Sequence, residues 1–366
     1  MEGYESKEMW ISTGTRRKTT MVACAVVVAI GLVAYVFQMA NGMEGYVDLR
    51  AWSIYIAMFY ACAAAGAGTL LMMGVFSVFG LVAPETYRRA YGVSLAAFVA
   101  ASVFIMIDLG NPLSIFAMVL NPQPASPLFY DMIILPVAIV VSIVGIRLAA
   151  KGSRPKMGFG VLCLVTAVAV LGIESWIVVA PETKAAWGVL LGFGPSLVQA
   201  LVMALALFML VTDEYENVLK KVLALVAALA VLTILIDSLS GIGNSAMGQQ
   251  MASIASSPLL WVAILVAACG VIVQFTKGKA AQTAASILVA VSIPLMKLAL
   301  LQGGQTAGNL FGTTTNLMGF GAVEVVASIG VIALAVLLFV AVATKSGNKD
   351  AENAADNVIR VQEVQA

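Results

Sequence analysis

The chain has 366 residues, of which 61% belong to the apolar set and only 11% are charged, and its formal net charge is +1 at pH 7. Several apolar runs exceed the roughly 20 residues that a helix needs to cross a bilayer. We therefore expect an all-α polytopic membrane protein, surrounded by lipid. A near-neutral chain with so few basic residues gives no indication of a nucleic-acid partner.

The sequence contains no His, and its four Cys residues stand singly inside apolar runs. The absence of His removes the usual axial ligand of b-type haem, the commonest metal ligand and the commonest general base. Single cysteines also lack the paired spacing of iron–sulfur and zinc sites, so they are most simply small core residues. We expect no haem and no metal in this subunit. The cysteines are Cys24, Cys62, Cys163 and Cys269.

Ten apolar segments are candidate membrane spans. In chain order they are Thr20–Gln38, Trp52–Val82, Tyr91–Leu109, Phe129–Leu148, Met157–Val179, Ser196–Val211, Val218–Ile236, Leu259–Phe275, Ala281–Leu301 and Phe320–Val342. The first resembles a signal peptide, but no small-x-small cleavage site follows it, so we expect a retained anchor. The polar, acidic segment after Ser346 is predicted to be a disordered tail.

The basic residues of the loops predict the orientation of these spans. When the ten spans alternate, 17 of the 20 Lys and Arg residues fall on the side that holds both termini, and only Arg50 and Lys184 fall on the other side. Cytoplasmic loops of membrane proteins are enriched in Lys and Arg. We therefore expect both termini in the cytoplasm. The loops Ser238–Pro258 and Gln302–Gly319 then face outward.

The connection from Asp108 to Asp131 also faces outward in this topology and contains no Lys or Arg. Its prolines prevent a continuous helix, so it should fold back along the membrane interface. A backbone that proline already restricts loses little conformational entropy on binding. We predict that a partner subunit docks here. The prolines are Pro112, Pro122, Pro124 and Pro127, and the predicted docking residues are Asn121, Pro122, Ser126 and Pro127.

Five ionisable residues lie within the predicted spans or at their ends, all in the outer third of the bilayer. They are Asp108, Glu174, Asp237, Lys297 and Glu324. Side chains near span ends can reach the interface, but five on one side favour a polar pocket that opens to the outer leaflet. Tyr60 and Tyr55 on the second span are further candidates for this pocket. Tyr55 fits an ordinary interfacial aromatic residue equally well.

A quinol that enters from lipid must lose two protons and two electrons, and this chemistry suits such a pocket. The quinol needs hydrogen-bond partners, a carboxylate that takes a proton and a route to an electron acceptor. Lys297 can polarise a quinone oxygen or pair with a neighbouring acid. Because Asp108 begins the predicted docking connection, we predict that it accepts a quinol proton. Glu174, Asp237 and Glu324 would complete the pocket or the proton exit.

Three motifs carry a family resemblance. They are Trp52-Ser-Ile-Tyr-Ile-Ala leading to Ala64-Ala65-Gly66-Ala67-Gly68, then Asp108-Leu-Gly-Asn-Pro, and then Asn121-Pro-x-x-x-Ser126-Pro127. Together they resemble the NrfD/PsrC family, the membrane-anchor subunits of polysulfide reductase and related respiratory complexes. The resemblance extends from Trp52 to about Gly304. Asn111 and Lys297 stand where the family usually has Arg, and no His is present to act as a quinone ligand, as it does in some members.

The resemblance implies two four-helix bundles, residues 52–179 and 180–301, with one extra helix at each end (1–51 and 302–342) before the tail 343–366. It also implies menaquinone or ubiquinone as exchangeable substrate near the outer surface of a prokaryotic inner membrane. The expected partners are a ferredoxin-like iron–sulfur subunit and a catalytic, molybdopterin-type subunit, so this chain would be the quinol-oxidising or quinone-reducing part of a larger enzyme. A secondary transporter with a site at broken helices is the alternative. Only Pro136 and Pro294 interrupt span interiors, which speaks against it.

Overall fold

The computed structural model describes residues 14–41, 52–110, 114–152, 154–180, 185–212, 216–240, 246–306 and 321–343. This part of the chain is entirely helical apart from turns, with thirteen helices and no strand. The helices are α1 (Gly14–Asn41), α2 (Ile54–Phe79), α3 (Pro84–Asp108), α4 (Ser114–Leu120), α5 (Pro127–Ala150), α6 (Met157–Val179), α7 (Ala185–Leu190), α8 (Phe193–Val211), α9 (Glu216–Ser240), α10 (Ala246–Ser256), α11 (Pro258–Val273), α12 (Lys279–Thr306) and α13 (Ala322–Ala343). The all-α polytopic class is confirmed.

Nine of the described helices are long and apolar enough to cross a membrane, and a tenth span results if α10 and α11 count as one. These two helices meet at an angle of 59°. Pro258 causes the break, because it has no backbone N–H to continue α10 and it disfavours helical geometry at Ser257. The predicted eighth span corresponds to α11, which alone has only 16 residues.

Several predicted boundaries were wrong for identifiable reasons. α2 ends at Phe79 because Gly80, with φ 65°, forms a left-handed C-cap. α3 begins at Pro84, where proline fits the first turn of a helix, so the Arg88-Arg89 pair lies inside α3 rather than in a turn. Arg88 is buried and donates hydrogen bonds to the carbonyls of Val342 and Ala343, both at 3.0 Å.

Helices also occupy parts of the three predicted outward connections. α4 lies in the connection from Asp108 to Asp131, and α10 lies in the loop Ser238–Pro258. α12 continues to Thr306 and includes the first residues of the predicted loop Gln302–Gly319. The rest of that loop, Asn111 and the tail after Ser346 lie outside the described residues.

The helices pack in an order that places α2 at the centre. α2 and α5 both contact α3 and α6, while α8 contacts α9 and α12, and α11 contacts α9 and α12. α2 also packs against α8 and α12, and so joins the two groups. α1 packs along α13, which in turn contacts α3. The predicted domain boundaries within this arrangement stay a prediction.

Small residues let α2 approach its neighbours closely. A Cβ added to Gly74 would lie 2.8 Å from the carbonyl oxygen of Gly160 on α6, and one added to Gly68 would overlap the carbonyl of Ala200 on α8. At Gly66 the space is filled by the ring of Phe98 from α3. In a membrane, where apolar burial against lipid gains little, such close packing is a main source of helix association.

Gly330→Leu is expected to separate α1 from α13. A Cβ at Gly330 would lie 2.7 Å from the Cα of Gly31, and a backbone atom cannot move aside as a side chain can. Overpacking of this kind costs about 1–3 kcal/mol, so the purified protein should unfold at a lower temperature. Gly158→Leu is the control, because no described atom lies within 4 Å of a Cβ there. Equal destabilisation by both variants would contradict this packing.

Candidate functional site

Four buried polar side chains from four different helices come together at one end of the helix assembly. Tyr60 (α2), Asp131 (α5), Glu174 (α6) and Lys297 (α12) form what we call the carboxylate–lysine cluster. Tyr60 lies six residues after the start of α2, which is about 9 Å of helix. Asp131 is similarly close to the start of α5, and Glu174 is close to the end of α6. The cluster therefore lies inside the end that the loop charges assign to the outer side.

Lys297 stands at the centre of the contacts between the two groups of helices. Its side chain is 1% exposed. Its Nζ donates a hydrogen bond to Ser196 Oγ of α8 at 3.3 Å and lies 5.8 Å from the centroid of the Tyr60 ring. Glu174 is close enough to Lys297 and Asp131 for both charges to act on it. A buried ammonium is costly without such partners.

The other members of the cluster have polar atoms without a hydrogen-bond partner among the described residues. These atoms are Tyr60 Oη, Asp131 Oδ1 and Glu174 Oε1, on side chains that are each 3% exposed. Leaving a buried polar group unsatisfied costs about 1–3 kcal/mol, so each such atom needs an explanation. A bound polar ligand or water supplies one. The unpaired hydroxyl and carboxyl oxygens next to an ammonium can both donate to and accept from a small polar molecule.

An aromatic wall separates the cluster from the predicted outer surface. The ring of Trp52 lies 6.0 Å from that of Tyr60 and stacks on Trp187 at 4.5 Å. Trp187 Nε1 donates to the carbonyl of Leu300 at 3.2 Å. Gln305 fixes Trp52 by accepting from its backbone N–H at 3.0 Å and donating to its carbonyl at 3.1 Å. These bonds hold both indoles in place on the outer side of the cluster.

Asp108 and Glu324 belong to a second group, which we call the Asp108–Glu324 network. Ser53 Oγ donates to Asp108 and accepts from the backbone N–H of Tyr55. Tyr55 Oη donates to Gln38 Oε1 at 2.6 Å, and Gln38 Nε2 donates to Glu324 Oε1 at 3.2 Å. The network links α3, α2, α1 and α13. Tyr55 is fully buried, which favours a role among the polar side chains over that of an interfacial aromatic residue.

The five ionisable residues of the sequence analysis thus do not form one pocket. Glu174 and Lys297 lie in the carboxylate–lysine cluster with Tyr60, whereas Asp108 and Glu324 lie in the hydrogen-bonded network. Asp237, half-buried near the end of α9, belongs to neither group among the described residues.

The predicted docking residues lie at the start of α5. Asn121 and Pro122 are exposed, and the backbone N–H of Ser126 donates to the Gln123 carbonyl at 2.9 Å. Ser126 is the N-cap of α5 and Pro127 is its first residue, so both also have a structural reason to be there. A docking role for this segment stays a prediction.

Sequence reasoning missed Asp131 as a member of the site. Asp131 was treated only as the end of the outward connection. It nevertheless lies two residues inside the predicted span Phe129–Leu148, where any carboxylate is a candidate functional residue. Ser196 and Gln38 were missed as well, because nothing in a single sequence indicates which buried polar side chains face each other across helices.

Comparison with known proteins gives one line of support for a membrane subunit of an oxidoreductase. No protein-family model matches the chain. A protein of Halobacterium salinarum (strain ATCC 700922 / JCM 11081 / NRC-1), described as a putative membrane subunit of dimethyl sulfoxide reductase, is 28% identical over 123 residues. The matched region covers 33% of this chain and 28% of that protein. The chain is therefore similar to a reductase membrane protein over a third of its length, and the resemblance to the NrfD/PsrC family stays a prediction.

Lys297→Met should destabilise the protein by leaving Glu174 without a nearby cation. Most single substitutions cost about 0.5–3 kcal/mol, and loss of a buried charge partner is one of the mechanisms behind the larger values. Adding Glu174→Gln to Lys297→Met should recover part of this loss, since contacting residues couple by about 0.5–3 kcal/mol. Thermal unfolding of the wild type, Lys297→Met, Glu174→Gln and the double variant in one detergent measures the coupling. Strictly additive effects would show that Lys297 and Glu174 do not interact.

Proposed function

We propose that this chain is the quinone-reactive membrane-anchor subunit of a respiratory oxidoreductase complex. The observation that carries the proposal is the carboxylate–lysine cluster, with three unpartnered polar atoms and a buried ammonium close to the predicted outer surface. The similarity to a protein described as a reductase membrane subunit supports the same class of function. Menaquinone or ubiquinone is the exchangeable substrate, and this subunit uses no haem or metal of its own.

The residues of the cluster suit the two protons of the reaction. A quinol that becomes a quinone releases two protons and two electrons, and the electrons must leave through another subunit. Glu174 and Asp131 are the proton acceptors, and Tyr60 donates a hydrogen bond to a ring oxygen. The Lys297 ammonium stabilises negative charge that develops on that oxygen. In the reverse direction the same groups return the protons.

Asp108 is a less suitable proton acceptor than Glu174 or Asp131, although its position in the sequence suggested this role. Its carboxyl already accepts a hydrogen bond from Ser53, and the network gives it a structural role at the end of α3. Glu174 and Asp131 have oxygens that are free to contact a ligand. We therefore assign proton transfer to these two residues and keep Asp108 as the comparison.

The proposed electron partner is a ferredoxin-like iron–sulfur subunit on the outer face, followed by a catalytic, molybdopterin-type subunit. Trp52 lies beside Tyr60 of the cluster and stacks on Trp187. In the predicted topology the exposed segment from Asn121 to Ala125 lies on the outer face. The outward loops contain few charged residues, which suits a surface that another protein covers permanently rather than one exposed to water.

One observation favours the transporter alternative. α10 and α11 form a broken span bent by 59°, and broken helices supply backbone groups to transporter sites. However, the four cluster residues lie on α2, α5, α6 and α12. Because the break and the polar site do not coincide, the quinone function explains more of the structure.

Glu174→Gln in the assembled complex should lower quinol oxidation by about 100- to 10,000-fold, the usual effect of losing one general base. The substitution keeps the size and polarity of the side chain. Asp108→Asn should retain most of the turnover, because Asn can still accept the hydrogen bond from Ser53. Activity of the partner subunits with an artificial electron donor should stay unchanged in both. Loss in Asp108→Asn alone would return the acceptor role to Asp108.

The proposed outer docking site requires the predicted orientation. A reporter that is active only in the cytoplasm should be active when it is fused after Ser346, because the basic residues predict that this side is cytoplasmic. A photo-cross-linker at Gln123 should capture an iron–sulfur subunit, whereas one at Lys151 in the opposite turn should not. An external C-terminus, or capture only from Lys151, would place the partner on the other side.

A further inference from the structure

Two aromatic rings lie on the exposed surface of the helix assembly at the level of the buried carboxyl groups. Tyr130 precedes Asp131 on α5, and Trp176 follows Glu174 by two residues on α6. Their ring centroids are 5.6 Å apart, with exposures of 36% and 45%. The pair therefore bridges the seam between α5 and α6 at the level of the carboxylate–lysine cluster.

The exposed residues of α5 follow one stripe, so the surface beside this pair faces lipid. Tyr130 continues the stripe that includes Ile133 and Val137, which are 48% and 41% exposed. Asp131, one position further round the helix, is 3% exposed. The two rings thus cover the exposed side of the seam, while Asp131 and Glu174 lie on the buried faces of α5 and α6 at the same level.

Gly172 leaves a notch in the same surface. It lies four residues before Trp176, hence on the same face of α6 and one turn deeper in the membrane. No described atom lies within 4 Å of a Cβ built there, whereas a Cβ at Gly160 of the same helix would meet the Gly74 carbonyl at 2.9 Å. Glycine in a helix interior costs about 1 kcal/mol relative to alanine. At Gly160 helix packing accounts for it, and at Gly172 packing does not.

We infer that the seam between α5 and α6, closed by Tyr130 and Trp176 and notched at Gly172, is the route by which a quinol of the outer leaflet reaches Asp131 and Glu174. This inference rests on the proposed function. The head group passes between the two rings, and the isoprenoid tail stays in lipid along the notch. Pro136 weakens α5 within this region, because it cannot donate a hydrogen bond to the carbonyl of Met132.

Binding kinetics separate a route from a binding site. A residue on the route changes the association and dissociation rate constants by the same factor and leaves Kd unchanged, whereas a residue that holds the ligand changes Kd. The purified full chain in lipid nanodiscs can be mixed with a naphthoquinone that carries a short isoprenoid tail. Binding is followed by quenching of tryptophan fluorescence, since Trp52 lies beside Tyr60 and stacks on Trp187.

Combining Tyr130→Ala with Trp176→Ala should raise both rate constants by about fivefold, the effect of lowering a barrier by roughly 1 kcal/mol. Gly172→Leu should lower both by a similar factor, because its side chain fills the notch. Trp261→Ala is the matched control. Trp261 is 43% exposed near the start of α11, away from the seam, and its replacement should change neither rate. Unchanged melting temperatures verify that each variant is folded.

The other outcomes overturn the inference in distinguishable ways. If the double variant behaves like Trp261→Ala, the pair consists of ordinary interfacial aromatic residues and the quinone enters elsewhere. If Kd rises while the association rate is constant, Tyr130 and Trp176 hold the ligand instead of admitting it. In both of these cases the proposed function still holds if the wild type shows saturable quenching and Glu174→Gln weakens it. Absence of saturable quenching in the wild type overturns the proposed function and the route with it.

Discussion

The burial of Lys297 close to Glu174 is the interaction on which the arrangement of the membrane helices depends. A lone ammonium inside an apolar assembly is far more costly than one with partners. Its partners come from α2, α6 and α8, so the charge is compensated only when both groups of helices meet around it. The site and the contact between the two groups are consequently one feature. A change that separates α12 from α2 or α6 would expose the charge and the cluster together.

The small residues of α2 make this meeting possible. α2 contacts α3, α6, α8 and α12, and a helix can have that many close neighbours only if its own side chains are short. Gly68 against Ala200 and Gly74 against Gly160 bring backbones nearly into contact. Tyr60, near the start of the same helix, is therefore placed between the two groups with its hydroxyl buried. The larger aromatic residues Trp52 and Trp187 then close the space outside it.

Hydropathy predicted the spans well because an uninterrupted apolar run has little alternative to a membrane helix. The errors occurred where a single residue decides the outcome, as at Gly80, Pro84 and Pro258, which end or begin helices by their backbone properties. The position of each ionisable residue along its helix was predictable from its distance to the predicted span ends. Their grouping was not, because it depends on the rotation of each helix about its axis. Glu174 and Glu324 both lie near helix ends, yet one faces Lys297 and the other faces Gln38.

The two polar groups differ in whether their hydrogen bonds are satisfied, and this difference indicates separate tasks. In the Asp108–Glu324 network both carboxyl groups accept hydrogen bonds, and Glu324 also accepts one from the backbone of Gly321 at 3.2 Å. Such a network holds α1 and α13 against α2 and α3, and it would lose that function if a substrate displaced its partners. The carboxylate–lysine cluster retains unpaired oxygens and a free hydroxyl at a cost in stability. A bound ligand would satisfy these groups, so the proposed function gives the cluster a use for its buried acids that differs from the structural use in the network.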